Sequence, residues 1–243
     1  MLRIMTLPVL AFVAMAAAAR GPIPPARGGD PVKFRVRIEN VSTTMTLKLS
    51  NGETAPAPTA PVLWLLHTTD DPIFTNGQKD RGKGLEHLAE DGNPGDLASA
   101  IAEMKGVRAA GFVNTPKGAT EAGPILPGSA YEFDITAIAG DRLTLAFMFG
   151  QSNDLFYAPD GKGIALFDKA GRPLSGEITD RFQLWDAGTE INQEPGLGTD
   201  QAPRQKGDNS GASENGTVRI VKDAFTYPKT RDVIRVTVVP ATK

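Results

Sequence analysis

The chain contains no cysteine and only two histidines, His67 and His87, among its 243 residues. The first absence removes every disulfide framework, so stability must come from a packed core or a bound ion. At this length one domain can bury most of its apolar surface without covalent staples. The scarcity of nitrogen and sulfur ligands makes a zinc site improbable. Clustered lysine and arginine are also missing, and the formal net charge is −2, so a nucleic-acid partner is not expected. No G-x-S-x-G is present, and neither histidine sits in a recognisable nucleophile motif. His67, at a strand end, reads as a hydrogen-bonding residue that orders the following turn.

A long hydrophobic run occurs only at the start, MLRIMTLPVLAFVAMAAAAR, with one arginine, an apolar stretch and small residues ending at Ala19. This is the three-part form of a secretory signal peptide, and it is short for a membrane span. The expected organisation is a signal peptide over 1–19, a Pro/Gly-rich linker over 20–31 and a single domain over 32–243. A secreted or periplasmic location follows, without membrane insertion.

Beyond the linker the hydrophobic period is two. VKFRVRIENVS (Val32 to Ser42) alternates apolar and charged residues, and related patterns occur at Val62–Thr68, Tyr131–Ile138, Arg142–Gly150, Gly163–Asp168, Arg181–Asp186 and Asp232–Val239. Turn signals at Asn51-Gly52, Pro127-Gly128, Gly140-Asp141, Asp160-Gly161 and Ala170-Gly171 separate them. Many short strands with regular turns predict an all-β, antiparallel two-sheet β-sandwich. Between Gly84 and Gly106 the spacing changes to that of two short inserted helices, expected to cover an open edge or end of the sandwich. The polar stretch Gly196 to Gly216 is too long for an ordinary connection and is either disordered or a functional loop.

Acids collect in two places. The loop GQSNDLFYAPDG offers Asn153, Asp154 and Asp160, and WDAGTE offers Asp186, Thr189 and Glu190. Calcium takes six to eight oxygens from a flexible frame of loops, and these segments are rich in them. The spacing is not that of an EF-hand, so such a site would be assembled from separate loops. Read from the residues alone, a second account stays open, in which Asp186 caps a turn and Glu190 is a solvated loop acid. Paired carboxylates also serve glycosidases, which keeps a periplasmic hydrolase as an alternative function. Phe156, Tyr157 and Trp185 adjoin the acids and would form a ligand platform if exposed, although burial of Trp185 in the sandwich is the stronger expectation.

The order of several segments resembles the spondin domain, a module of extracellular-matrix proteins and of bacterial secreted proteins. The resemblance rests on FRVRIENVS, VLWLLHTTDDPIFTNGQ, GLEHLAEDGNPGDLAS, GPILPGSAYEFDI, LTLAFMFGQSNDLFYAPDG and LWDAGTEIN, in that order, between about Val32 and Val239. It implies a C2-like sandwich that binds calcium through acids from loops at one end. Carried over residue by residue, the metal ligands are Asp154, Asp186 and Glu190, the last being Asp in some relatives. The acid cluster, the export signal and the lack of a catalytic constellation together lead to the expected function, a secreted calcium-binding β-sandwich serving in recognition or adhesion, non-enzymatic, with an extracellular protein or glycan as a candidate ligand. A purely structural sandwich without a metal is a further alternative.

Overall fold

The computed structural model describes residues 30–241, so the expected signal peptide and nearly all of the linker lie outside the described residues. In chain order the strands are β1 (Val32–Asn40), β2 (Leu47–Lys48), β3 (Thr54–Ala55), β4 (Val62–His67), β5 (Val107–Val113), β6 (Ala130–Ala137), β7 (Arg142–Met148), β8 (Leu155–Ala158), β9 (Ile164–Ala165), β10 (Gly176–Glu177), β11 (Gln183–Asp186), β12 (Arg219–Ile220) and β13 (Ile234–Pro240). Helices α1 (Leu85–Glu90) and α2 (Gly95–Ala102) separate β4 from β5, and α3 (Thr230–Val233) leads into β13.

Two antiparallel sheets carry the fold. The smaller has the order β10-β13-β1-β6, and the larger runs β12-β11-β8-β7-β4-β5 with β9 attached to β7. The period-two pattern explains the smaller sheet directly. Phe34, Val36 and Ile38 of β1 point inward and are buried, while Arg35 and Arg37 lie opposite Asp134 and Glu132 of β6 on the wet face. Arg35 Nε donates to Asp134 Oδ1 at 2.9 Å, and Arg37 Nη1 to Glu132 Oε2 at 3.2 Å. Exposed pairs of this kind contribute at most about 1 kcal/mol each, so burial of the inner face holds the sheet.

The larger sheet is covered on both faces. Leu143, Leu145, Phe147, Leu155, Tyr157 and Leu184 pack with the inner face of the smaller sheet. Their alternate neighbours Ala146, Phe156, Ala158 and Trp185 pack on the opposite face with Leu85, Leu88, Leu97 and Ile101 of α1 and α2. The two helices therefore roof the outer face of the larger sheet instead of closing an edge or end. A sheet buried on both faces loses its polar alternation, which is why β8 (LFYA) gave no separate strand signal. β5 was concealed for a different reason, since its Ala-Ala-Gly centre is poor in strand-forming residues. Among the described residues no helix is long and apolar enough to cross a membrane.

Candidate metal centre

Three adjacent strands bring the acids together. Asp186 ends β11, where it stands opposite Leu155 of β8 on one side and Arg219 of β12 on the other. Asp154 immediately precedes Leu155, and its carbonyl accepts the Ala187 N–H at 3.1 Å. Two acids 32 positions apart in sequence thus become neighbours through strand register.

Both are wholly buried, at 0 % exposure. Asp154 Oδ2 accepts the backbone N–H groups of Thr189 at 2.9 Å and Glu190 at 3.1 Å, with the Thr189 hydroxyl at 3.3 Å. Asp154 Oδ1 is buried and has no hydrogen-bond partner. Burial, followed by the charge of Asp186, pushes the Asp154 carboxyl up to about 7, against the pull of the two N–H donors. Asp186 is better satisfied. Its Oδ1 accepts the Gly188 N–H at 2.7 Å, the turn-capping role that its sequence position allowed. Its Oδ2 takes Asn192 Nδ2 at 2.9 Å and Arg219 Nη2 at 2.7 Å. Burial still raises its pKa, opposed chiefly by the charge of Arg219.

Glu190 is neither solvated nor gathered with these two oxygens. At 3 % exposure it receives the Gly211 N–H at 2.6 Å on Oε1 and Asn153 Nδ2 at 3.3 Å on Oε2. The third acid beside Asp154 and Asp186 is Glu214, and one oxygen from each of the three lies within 4.8 Å of the others. Glu214 reaches the site because the chain between β11 and β12 folds back on itself. The Glu214 N–H donates to Thr189 O at 2.8 Å, Gly216 N–H to Gly188 O at 2.7 Å and Ile191 N–H to Ala212 O at 2.8 Å. Gly188 has φ +71° and a Cβ there would lie 2.6 Å from Thr217 N, so this crossing requires glycine. The polar stretch 196–216 is consequently an ordered flap. Gln205 Nε2 and the Asn209 N–H bond Asp91 Oδ1 at 2.9 and 3.3 Å, at the end of α1.

One further acid faces the same region. Glu90, the last residue of α1, is 1 % exposed with no hydrogen bond to either carboxylate oxygen. Burial pushes its carboxyl up to about 8, against the opposing pull of the nearby Thr189 side chain, and the charges of Glu190, Glu86 and Asp154 add to the rise. Sequence reasoning missed both Glu90 and Glu214, because the first reads as a helix residue and the second as part of a structureless run.

Other sequence candidates are placed elsewhere. Asp160 caps the Lys162 N–H at 3.0 Å in its own turn. His67 is buried, with Nδ1 2.7 Å from Thr69 O and Nε2 2.8 Å from Thr144 Oγ1, which orders the turn as its position suggested. His87 pairs with Asp96 at 2.8 Å on the surface. Phe156, Tyr157 and Trp185 are all buried and form no exposed platform. Trp185 Nε1 donates to Ala158 O at 3.0 Å beneath the helical roof.

Compared with protein-family models and with curated proteins, the chain matches none.

Proposed function

We propose that this chain is a calcium-binding β-sandwich of the spondin-domain type, non-enzymatic and acting outside the cytoplasm in recognition or adhesion. The observation that carries the reading is Asp154, a fully buried carboxylate that has an unpartnered oxygen, Oδ1, and gathers with Asp186 and Glu214 so that one oxygen of each lies within 4.8 Å of the others. A buried carboxylate oxygen with nothing to bond is costly, and a hard cation is the partner its chemistry suits. The donor set is all oxygen, which favours calcium over zinc or copper. Asp154, Asp186 and Glu214 are the acids in position to hold the ion. Glu190, the third ligand implied by the family resemblance, fastens the flap instead. The ion would neutralise the carboxylates and cross-link the β7–β8 loop, the β11 turn and the flap, stiffening the end that a protein or glycan partner would meet.

Calorimetric titration of chelator-treated protein with calcium tests this, with Asp154→Asn as the control that removes the charge. At a calcium concentration 100 times the Kd, linkage predicts about 2.7 kcal/mol of stabilisation, or a rise in melting temperature of roughly 5–10 °C. Absence of binding in the wild type, or unchanged binding in the variant, refutes the proposal.

A second reading has one specific observation in its favour. Arg219 already neutralises Asp186 and Glu214, as a purely structural sandwich without a metal would require. It leaves Asp154 Oδ1 without a partner.

A further inference from the structure

The acidic pocket holds a cation of its own. Arg219 Nη2 lies 2.7 Å from Asp186 Oδ2 and 2.7 and 3.0 Å from the two oxygens of Glu214, and Nη1 donates to Thr217 O at 3.1 Å. Its guanidinium thus engages two of the three carboxylates that converge on the pocket, and the third, Asp154, keeps one oxygen free. The Arg219 side chain is 32 % exposed, so it has a route to solvent that does not require β12 to leave the sheet.

We propose that Arg219 is a tethered competitor for the cation. It neutralises Asp186 and Glu214 in the ion-free protein, and it gives up those oxygens when an ion takes them. This rests on the calcium reading and specifies how that site is regulated. An ion about 2.3–2.6 Å from an Asp186 oxygen would stand within a few ångströms of the guanidinium, where like charges repel strongly. Both cannot hold Asp186 and Glu214 at full strength. Without an ion, the guanidinium keeps the carboxylates from splaying apart and holds Glu214 beside the neck of the flap, where Glu214 and Gly216 bond Thr189 and Gly188. With an ion, the same carboxylates stay gathered around a different charge. Arg219 therefore sets the calcium concentration at which the exchange occurs.

The experiment is Arg219→Gln, titrated with calcium by calorimetry and melted with and without chelator. Competition predicts that calcium binds at least about tenfold more tightly to the variant than to the wild type. It also predicts that the ion-free melting temperature falls, because Asp186 and Glu214 lose their partner. A residue with only a structural role would lower both quantities. Binding by the variant alone, with a silent wild type, overturns the proposal together with the calcium reading, because the ion then never displaces Arg219 in the native protein. If the wild type binds calcium and the variant binds no more tightly, competition is refuted while the calcium reading stands. If neither binds, both fall. Should the variant fail to fold, the guanidinium 15N resonances of wild-type Arg219 decide the matter. They shift to the position of a solvent-exposed arginine on calcium addition if the side chain is displaced, and their staying in place overturns the proposal.

Discussion

Asp154 holds Thr189 from two directions, accepting its backbone N–H at 2.9 Å and its hydroxyl at 3.3 Å on the same oxygen, Oδ2. This contact ties the start of β8 to the turn after β11 and leaves Oδ1 with no bond. An asparagine at 154 can keep the Oδ2 contacts through its amide oxygen while removing the buried charge. Asp154→Asn is therefore expected to melt at or above the wild-type temperature in chelator, yet to lose the rise on calcium addition. Paired melts in chelator and in calcium check this. A variant that melts lower in chelator and still responds to calcium would place the ion elsewhere.

The ion-free protein should lose stability as pH rises from about 4 to about 8. Asp154 and Glu90 have ordinary values of 3.8 and 4.5, and burial raises them to about 7 and about 8 in the fold. A raised folded pKa means that the native state holds protons which the unfolded chain has already released. Its contribution is thus complete below the unfolded values and is lost as pH climbs through the folded ones. A tenfold difference in proton affinity between the folded and unfolded chain is worth roughly 1.4 kcal/mol, so the combined loss reaches several kcal/mol at about pH 8. Urea unfolding across this range in chelator measures the slope, and Glu90→Gln should flatten its upper part. A profile level from about pH 5 to 8 would contradict the burial of either acid.

The core offers a test that is independent of any ion. Trp185 sits under the helical roof with its ring centroid 4.7 Å from that of Phe74, so Trp185→Ala is expected to cost about 3–5 kcal/mol. On the opposite face, Tyr157 is fully buried with an unpartnered hydroxyl. Tyr157→Phe removes that hydroxyl without leaving a large void and should stabilise the fold by about 1 kcal/mol. Chemical denaturation of the two variants gives opposite signs if both faces of the larger sheet are packed as described.

How much of this was legible in the sequence depended on exposure to water. β1 was plain because Arg35 and Arg37 mark its wet face, and the sandwich followed from several strands of that kind. β8 was hidden because all four of its residues are buried, and a strand with two dry faces has no alternation to read. The helices were found from their spacing, but their position was not. What places them is the apolar outer face formed by Phe156, Ala158 and Trp185, visible only once the strands are aligned. At the site, Asp154 and Asp186 stood out as acids in short motifs with no basic residue beside them. Glu214 did not, since its approach depends on backbone bonds between Gly188–Ile191 and 212–216 that no local pattern announces.

Glu190 gives the last prediction, which concerns the flap. Its carboxylate accepts the Gly211 N–H and Asn153 Nδ2, joining the flap to the β7–β8 loop. The fit is close, because a Cβ added at Gly211 would lie 2.0 Å from Glu190 Oε2. Within the flap, Arg204 is held by Gly198 O at 2.7 Å and Gln151 Oε1 at 3.0 Å, and Lys206 lies two residues further on. Glu190→Ala removes the tie at Gly211 without touching the hydrogen bonds that Asp154 and Asp186 make through their own side chains, apart from any relaxation of the Glu190 N–H. The flap should then open locally at a cost well below global unfolding, freeing the backbone at Arg204 and Lys206, whose side chains are already exposed, to enter a protease site. Trypsin is expected to cut the variant at these two residues at least about tenfold faster than the wild type, under conditions where the rest of the domain resists. Equal rates of cleavage would show that Asp91, through Gln205 and Asn209, is sufficient to hold the flap without Glu190.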